Sequence, residues 1–199
     1  MAPADADLRN TTLAVLAGGE GSRMGYPKAE VRLGGRPILD VLLERFAWPG
    51  PTLLVTAPGR EHPTGWRGFT REVSDAEAGL GPLRGVLTAL QHAPTPLVVV
   101  TGVDMPLIGR DQLAWLAGQL GDRADALGLM LRRGARVEPL PSAFRTGAAA
   151  LVRRMLDTGR RSLHGLLADP AIRAMDAPDA WGERTWTNLN SPADLDGLT

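Results

Sequence analysis

The segment Leu16–Gly35, which reads LAGGEGSRMGYPKAEVRLGG, constrains this chain's fold more than any other. It follows an apolar run, Thr12–Leu16, that has the composition of a buried strand. Its glycines let the backbone approach a ligand closely, and exposed N–H groups in such a loop can form an anion-binding nest. Arg23 offers a planar fork for phosphate oxygens, and Lys28 offers a mobile positive charge. The pattern therefore predicts a strand that ends in a phosphate-binding loop.

Two common phosphate-binding motifs do not fit this loop. A dinucleotide-binding fingerprint needs a third glycine at the position where Met24 stands. A P-loop needs a lysine directly after its last glycine, whereas Gly25 is followed by Tyr26 and Pro27. From the loop alone, a glycine-rich turn with two solvated cations stays open as an alternative.

The loop resembles the signature of nucleotidyltransferases that move a nucleoside monophosphate from a triphosphate onto a phosphorylated acceptor. Within that superfamily it is most similar to the molybdenum cofactor guanylyltransferases, whose pattern is L-A-G-G-x-x-x-R-M-G-x-x-K followed by G-x-P-L. The chain departs from this pattern at its last place, where it has Ile38. The matching residues are Leu16, Ala17, Gly18, Gly19, Arg23, Met24, Gly25, Lys28, Gly35 and Pro37.

The composition excludes several classes of partner. The 199 residues carry 22 basic and 22 acidic side chains, whereas broad binding to nucleic acid or to an anionic membrane needs a basic excess. The chain has no cysteine, so disulfides, thiolate metal sites and cysteine nucleophiles are excluded. The N-terminus lacks the pattern of a signal peptide, and no apolar run is long enough to cross a bilayer. We therefore expect a cytoplasmic protein.

Strand-like runs alternate with helical patterns from Leu13 to Leu120. This alternation predicts an α/β fold with a mostly parallel sheet covered on both faces. The resemblance implies the same, a Rossmann-like three-layer α/β/α sandwich of the nucleotidyltransferase type. Ligands bind such sheets beyond the carboxyl ends of the strands, where we expect the site. The predicted strands are Leu13–Leu16, Leu53–Thr56, Phe69–Val73 and Leu97–Thr101, and the predicted helices begin at Pro37, Pro82 and Asp111.

The second half of the chain has shorter and more irregular patterns. Residues 127–145 predict one sheet strand and a small hairpin-like excursion able to form an acceptor pocket. The sequence shows no repeat or linker, so we expect one domain over residues 1–199. Further predicted elements are helices at Thr146–Asp157 and Arg161–Ala168, strands at Ile172–Met175 and Thr185–Thr187, and a last helix with Ser191 as its cap and Pro192 at its first position.

Asp104 ends the apolar run that begins at Val98 and is followed closely by Pro106. An aspartate at the carboxyl end of a buried strand is well placed to hold Mg²⁺, which prefers oxygen ligands and substrate phosphates. The residues alone fit equally well with an aspartate that caps the next loop. The guanylyltransferases have a D-x-P pattern here, and the resemblance therefore implies that Asp104 is a metal ligand.

A third segment carries Asp75 after a short strand and a Gly-Pro-Leu sequence before a helix. By itself it is a common loop with a proline at a helix start. The family has a similar stretch, and its backbone is expected to contact the edge of the nucleotide base. The Gly-Pro-Leu sequence here, together with the Gly-Gly pair at 18–19, favours GTP over CTP. Thr56 stands where some relatives have an asparagine. The resemblance thus implies nucleotide binding by Leu16, Ala17, Gly18, Gly19, Lys28, Thr56, Asp75, Gly81, Pro82, Leu83 and Asp104.

The C-terminal sequence TNLNSPADL matches the family pattern N-x-N-[T/S]-P-x-[D/E]-L. Asparagine is also a frequent turn residue, but the resemblance implies that Asn190 and Asn188 complete the metal environment. Arg160 and Arg161 resemble a basic turn that meets the acceptor, although solvated arginines are an equal alternative. The family usually has His-Pro-Leu in the acceptor lobe, whereas this chain has Glu138 before its Pro-Leu pair.

The resemblance implies Mg²⁺-dependent transfer of GMP from GTP to the phosphate of molybdopterin, with release of pyrophosphate. Arg23, Lys28 and Asp104 would be the catalytic residues, because such transfer needs positioning and charge neutralisation more than covalent help. Transient contacts with other cofactor-biosynthesis proteins or with acceptor molybdoenzymes are implied too. Two alternatives stay open: a cytidylyl- or other nucleotidyltransferase acting on a pterin or sugar phosphate, and a non-catalytic nucleotide-binding module.

Overall fold

The computed structural model describes residues 8–19, 25–77, 79–191 and 193–196. The helices are α1 (Ile38–Phe46), α2 (Gly81–His92), α3 (Arg110–Gly121), α4 (Ala149–Asp157) and α5 (Ala193–Asp196). The strands are β1 (Thr11–Leu16), β2 (Arg32–Leu33), β3 (Arg36–Pro37), β4 (Thr52–Thr56), β5 (Arg71–Ser74), β6 (Leu97–Gly102), β7 (Gly128–Arg133), β8 (Arg136–Arg145) and β9 (Ile172–Asp176).

A seven-stranded sheet in the order β5-β4-β1-β6-β8-β7-β9 runs through the described part of the chain. The pairs β5–β4, β4–β1, β1–β6 and β7–β9 are parallel, while β8 runs antiparallel to both of its neighbours. Strands β2 and β3 form a separate small hairpin. The parallel half places the carboxyl ends of four strands on one edge of the sheet.

Alternate residues of the central strands point into two separate cores. On β1, Leu13 and Val15 pack on one face with Leu42 of α1 and Leu116 of α3. Ala14 packs on the other face, in the core that α2 and α4 cover. Burial on both faces explains why these strands read as continuous apolar runs. The three-layer α/β/α fold expected from the sequence is confirmed.

The helices form where apolar residues recur at helical spacing. In α2, the buried stripe contains Leu83, Val86, Leu87 and Leu90, and Pro82 stands in the first turn, where a missing N–H costs least. No helix in the described part of the chain is long and apolar enough to span a membrane.

Three local predictions for the second half differ from the structure. The strand predicted at Thr185–Thr187 is wrong, because Glu183–Trp186 form a 3₁₀ helix. The threonine hydroxyls there donate to the carbonyl oxygens of Trp181 and Arg184, and such local bonds compete with strand pairing. The predicted helix at Arg161–Ala168 is a 3₁₀ helix from Leu163. Instead of one strand and an excursion, residues 128–145 contain two paired strands, β7 and β8, that both belong to the main sheet.

Candidate active site

A cavity of about 430 Å³ lies at the carboxyl ends of β1, β4, β5 and β6. Each strand contributes through the residues that follow it: Gly18 and Gly19 after β1, Ala57 after β4, Asp75 after β5 and Asp104 after β6. The start of α2 closes the cavity with Gly81 and Pro82. The topology therefore brings segments that lie far apart in the sequence to one concave site.

Two glycines shape this cavity. Gly81 has a φ of +72°, a left-handed conformation that side chains resist, and it lines the cavity at the start of α2. Gly102 is the last residue of β6, and a Cβ there would lie 2.3 Å from Oδ1 of Asp104. The absence of a side chain at position 102 is thus what lets the Asp104 carboxylate fold back toward the strand end.

Lys28 connects three segments at one end of the cavity. Its Nζ donates to Oδ2 of Asp104 at 2.7 Å and to Oδ1 of Asn190 at 2.9 Å. The side chains of Lys28 and Asp104 are only 17% and 27% exposed. Lys28 is also the only lysine of the chain, among 21 arginines. Because the arginine fork differs in shape from a compact ammonium group, the two cations are not interchangeable at such a position.

The C-terminal segment is held against Asp104 by main-chain and side-chain bonds. The N–H of Leu189 donates to the carbonyl oxygen of Asp104 at 2.8 Å. Asp194 accepts from the N–H groups of Asn190 and Ser191, and these bonds lower the pKa of its carboxyl group. Asp194 therefore stays ionised and fixes the turn that presents the Asn190 amide to Lys28. Pro192 lies outside the described residues.

Asp75 occupies a different part of the cavity, next to the start of α2. Its N–H donates to the carbonyl oxygen of Thr56, which continues the β4–β5 pairing by one residue. Burial raises the pKa of its carboxyl group, against the opposing effects of a hydrogen bond from Thr88 and of the positive charge of Arg84. Its Oδ1 is buried and has no hydrogen-bond partner among the described residues. A buried acceptor without a partner is costly, so this oxygen is suited to receive donors from a ligand.

The cavity brings together eight of the residues that the sequence analysis singled out: Leu16, Gly18, Gly19, Lys28, Asp75, Gly81, Pro82 and Asp104. Asn190 joins them through its bond to Lys28. Arg23 lies outside the described residues. The lining also includes Leu140, from the Pro-Leu pair after Glu138, and Arg60 and Glu77, which no motif indicated. Arg60 and Glu77 lie in loops without periodicity, after strands β4 and β5. The only sequence signal for them is therefore their position after a predicted strand.

Other predicted residues lie elsewhere. Ala17 and Thr56 line a neighbouring hollow, and the Thr56 hydroxyl donates to Glu72 at 3.0 Å. Leu83 is fully buried in the core. Asn188 is not among the cavity-lining residues, and its side-chain amide donates to the carbonyl oxygen of Trp186 at 3.1 Å.

The basic turn at Arg160 and Arg161 is not part of the cavity lining. The carbonyl oxygen of Arg161 nevertheless lies 3.3 Å from the point where a Cβ of Gly81 would be. The turn therefore packs behind the start of α2, near the end of the cavity that contains Asp75.

The negative charge of Glu138 is neutralised within its own hairpin. Its carboxylate lies 3.2 Å from Arg133 and 3.5 Å from Arg136, and the residue is only 7% exposed. Arg133 also lies over the ring of Trp186, with its guanidinium carbon 5.8 Å from the centroid. Arg133 thus connects the β7–β8 hairpin with the C-terminal segment, and Glu138 does not present an unpaired charge to an acceptor.

The residues around Lys28 fit a hard divalent cation. The described residues contain no cluster of three or more His, Cys, Asp or Glu side chains suited to a metal ion. Mg²⁺, however, is usually held by one or two protein oxygens together with water and substrate phosphates. Asp104 and Asn190 supply two such oxygens, and both already face the ammonium cation of Lys28. Their arrangement suits a metal ion that arrives with a phosphorylated ligand.

Comparisons with known proteins agree with this geometry. The profile of the MobA-like NTP transferase domain family matches residues 13–173. A probable molybdenum cofactor guanylyltransferase of Deinococcus radiodurans is 34% identical over 94% of this chain and 93% of its own length. A molybdenum cofactor guanylyltransferase of Cereibacter sphaeroides is 34% identical over 91% of each chain. The crystal structure of molybdopterin-guanine dinucleotide biosynthesis protein A from Archaeoglobus fulgidus superposes with a TM-score of 0.77 at 25% identity, covering 94% of this chain and 96% of that one.

Proposed function

This chain belongs to the MobA-like NTP transferase family and is a nucleotidyltransferase, and we propose that it transfers GMP from GTP to the phosphate of molybdopterin and releases pyrophosphate. One observation carries the choice of nucleotide: the same cavity is lined by Asp75, whose Oδ1 has no partner among the described residues, and by the Lys28–Asp104 pair. The names of the relatives support the choice of acceptor.

Asp75 favours guanine among the four bases. Guanine presents two adjacent donors, N1–H and the N2 amino group, whereas adenine and cytosine each present one amino group beside an acceptor nitrogen. A carboxylate can accept from both guanine donors at once, and this would satisfy the buried Asp75 oxygen that has no partner among the described residues. Arg84 opposes the pKa increase that burial causes at Asp75 and so helps to keep this acceptor ionised.

The Lys28 end of the cavity suits the phosphates. Lys28 can turn from Asp104 to a phosphate oxygen within the same small volume, because its ammonium group already lies at the cavity wall. Arg23 belongs to the same loop, and we assign it to the triphosphate on the basis of the motif. Mg²⁺, held by Asp104 and Asn190, would neutralise phosphate charge when bound. Asn188, two residues before Asn190, is a further candidate ligand.

The acceptor needs no activation by a general base. A phosphate monoester is already ionised near neutral pH, so its oxygen can attack the α-phosphorus directly while pyrophosphate leaves. The task of the protein is to hold both partners in line and to neutralise the charge that develops. Arg160 and Arg161 remain candidates for the acceptor, although Arg161 packs next to Gly81.

The test is pyrophosphate release from purified protein with MgCl₂, molybdopterin and each of GTP, CTP, ATP and UTP in turn. We expect release with GTP at a rate at least about tenfold above the other three, since each charge-assisted bond to the base contributes roughly 1.5–3 kcal/mol. Faster release with CTP would show that the base assignment is wrong. Binding of GTP without turnover on molybdopterin would instead support a non-catalytic module.

A further inference from the structure

Arg60 lines the cavity from the loop that follows β4. Its side chain is exposed, and it makes no hydrogen bond or ion pair within the described residues. The other cation of the described lining, Lys28, is already bonded to Asp104 and Asn190. A guanidinium group carries five N–H donors and no acceptor, so all of them are available to a ligand.

We propose that Arg60 reads the O6 and N7 atoms of the guanine base. The inference rests on the proposed use of GTP. Guanine has two acceptors, O6 and N7, next to the edge that carries its N1–H and N2 donors, and a bidentate arginine is the side chain that matches this pair best. With Asp75 accepting on one edge and Arg60 donating to the other, the cavity would distinguish guanine from adenine, which has an amino donor in place of O6.

The strand order places the Arg60 loop beside Asp75. Strands β5 and β4, which precede Asp75 and Arg60, are direct neighbours in the sheet, about 4.8 Å apart. Strand β1, which precedes the glycine loop, is the other neighbour of β4, so the base and not the phosphates is chosen on the available donors. The phosphates already have Lys28, whereas Arg60 is the other cation of the described lining and is free to donate to O6 and N7.

The proposal is tested with Arg60→Ala and four nucleotides: GTP, 7-deaza-GTP, ITP and ATP. Dissociation constants are measured by calorimetry at fixed Mg²⁺ concentration. The wild-type protein should bind 7-deaza-GTP, which lacks only the N7 acceptor, about 5- to 20-fold more weakly than GTP, as expected for the loss of one bond to a charged donor. Arg60→Ala should bind GTP about 10- to 100-fold more weakly and should bind GTP and 7-deaza-GTP equally.

ITP, which lacks only the N2 amino group, provides an internal control. Its affinity relative to GTP reports the Asp75 contact, so that ratio should be the same in wild type and Arg60→Ala. Arg153→Ala, at an exposed arginine of α4, is the matched control and should bind all four nucleotides like wild type. Circular dichroism checks that each variant is folded.

Two outcomes would overturn the assignment. If Arg60→Ala weakens GTP, 7-deaza-GTP, ITP and ATP by the same factor, Arg60 contacts phosphate or ribose and not the base. If wild type binds GTP and 7-deaza-GTP equally, N7 is not read at all. In both cases an intact preference for GTP and intact pyrophosphate release would leave the proposed function standing, whereas wild-type protein that binds no guanine nucleotide would refute both.

Discussion

Replacement of Lys28 by alanine is the sharpest test of how the charged end of the cavity works. In the free protein, the ammonium group of Lys28 bridges a carboxylate and an amide oxygen from segments 76 and 162 residues away. During the reaction, we expect the same group to meet the triphosphate. The substitution therefore removes one side chain with two separable roles, one in stability and one in nucleotide binding.

The two roles differ in magnitude. Hydrogen bonds to charged groups contribute about 1.5–3 kcal/mol when shielded from water. Because the Asp104 side chain is about a quarter exposed, water can replace its partner, and we expect Lys28→Ala to lower the free energy of unfolding by only about 1 kcal/mol. For the triphosphate, the substitution removes a charge-assisted bond to the reacting phosphates, so kcat/KM for GTP should fall by about 10- to 150-fold.

Steady-state pyrophosphate release and thermal unfolding without ligand measure these two quantities separately. Arg32→Ala is the control, since Arg32 is a nearby exposed cation whose only recorded bond within the described residues is to the carbonyl oxygen of Gly35. It should change neither quantity much. Lys28→Arg should recover only part of the activity, because the planar guanidinium fork places its donors differently from a compact ammonium group. Equal losses in Lys28→Ala and Arg32→Ala would show that the loop is only a diffuse basic surface.

Because Lys28 is the only lysine, an amine-reactive reagent provides a direct readout of the same contact. Apart from the N-terminal amine, Lys28 is the one primary amine that such a reagent can modify. Mass spectrometry should show slower modification of Lys28 when GTP and Mg²⁺ are present. Unchanged modification at saturating GTP would contradict a contact between Lys28 and the triphosphate.

Three further substitutions test the remaining parts of the site. Asp104→Asn should reduce turnover at least about 100-fold at ordinary Mg²⁺ concentration with little change in melting temperature, because it removes a metal ligand but keeps the fold. Near-normal activity would place the metal elsewhere. Gly102→Ala should lower kcat by about tenfold, since its Cβ would displace the Asp104 carboxylate. The control Gly121→Ala, at a position with open space, should leave kcat unchanged. Asp75→Asn should abolish the preference for GTP over ITP while keeping or raising stability. Burial raises the pKa of the Asp75 carboxyl group above its ordinary value of 3.8. As the pH rises above 3.8, ionisation of Asp75 therefore lowers the free energy of unfolding, and asparagine removes this destabilisation. A lower melting temperature at pH 7 in Asp75→Asn would contradict this sign.

Local patterns were sufficient to predict much of the fold and the position of the site. The apolar run before Gly18 and the run before Asp104 each required burial on both faces, which indicates parallel strands between two helical layers. Parallel strands share the edge at which they end. The residues that follow them therefore had to come together, even though the sequence does not show which neighbours they contact.

Other features depend on contacts that no local pattern contains. The sequence shows Glu138 where the family usually has a histidine, but it does not show the partners Arg133 and Arg136 that the β7–β8 hairpin places against this carboxylate. The strand tendency of Thr185–Thr187 gave way to hydroxyl bonds with nearby carbonyl groups. Arg60 stands in a loop without periodicity. The pairing of β4 with β5 brings this loop next to Asp75 in the cavity lining.

The central claim is transfer of the α-phosphoryl group of GTP to molybdopterin, and the position of a radiolabel tests it most directly. In parallel reactions with MgCl₂ and molybdopterin, label from [α-³²P]GTP should appear in a pterin–guanine dinucleotide, and label from [γ-³²P]GTP should appear in an equal amount of pyrophosphate. Label from [γ-³²P]GTP in inorganic phosphate, with none from [α-³²P]GTP in the pterin, would show hydrolysis in place of transfer and would contradict the account.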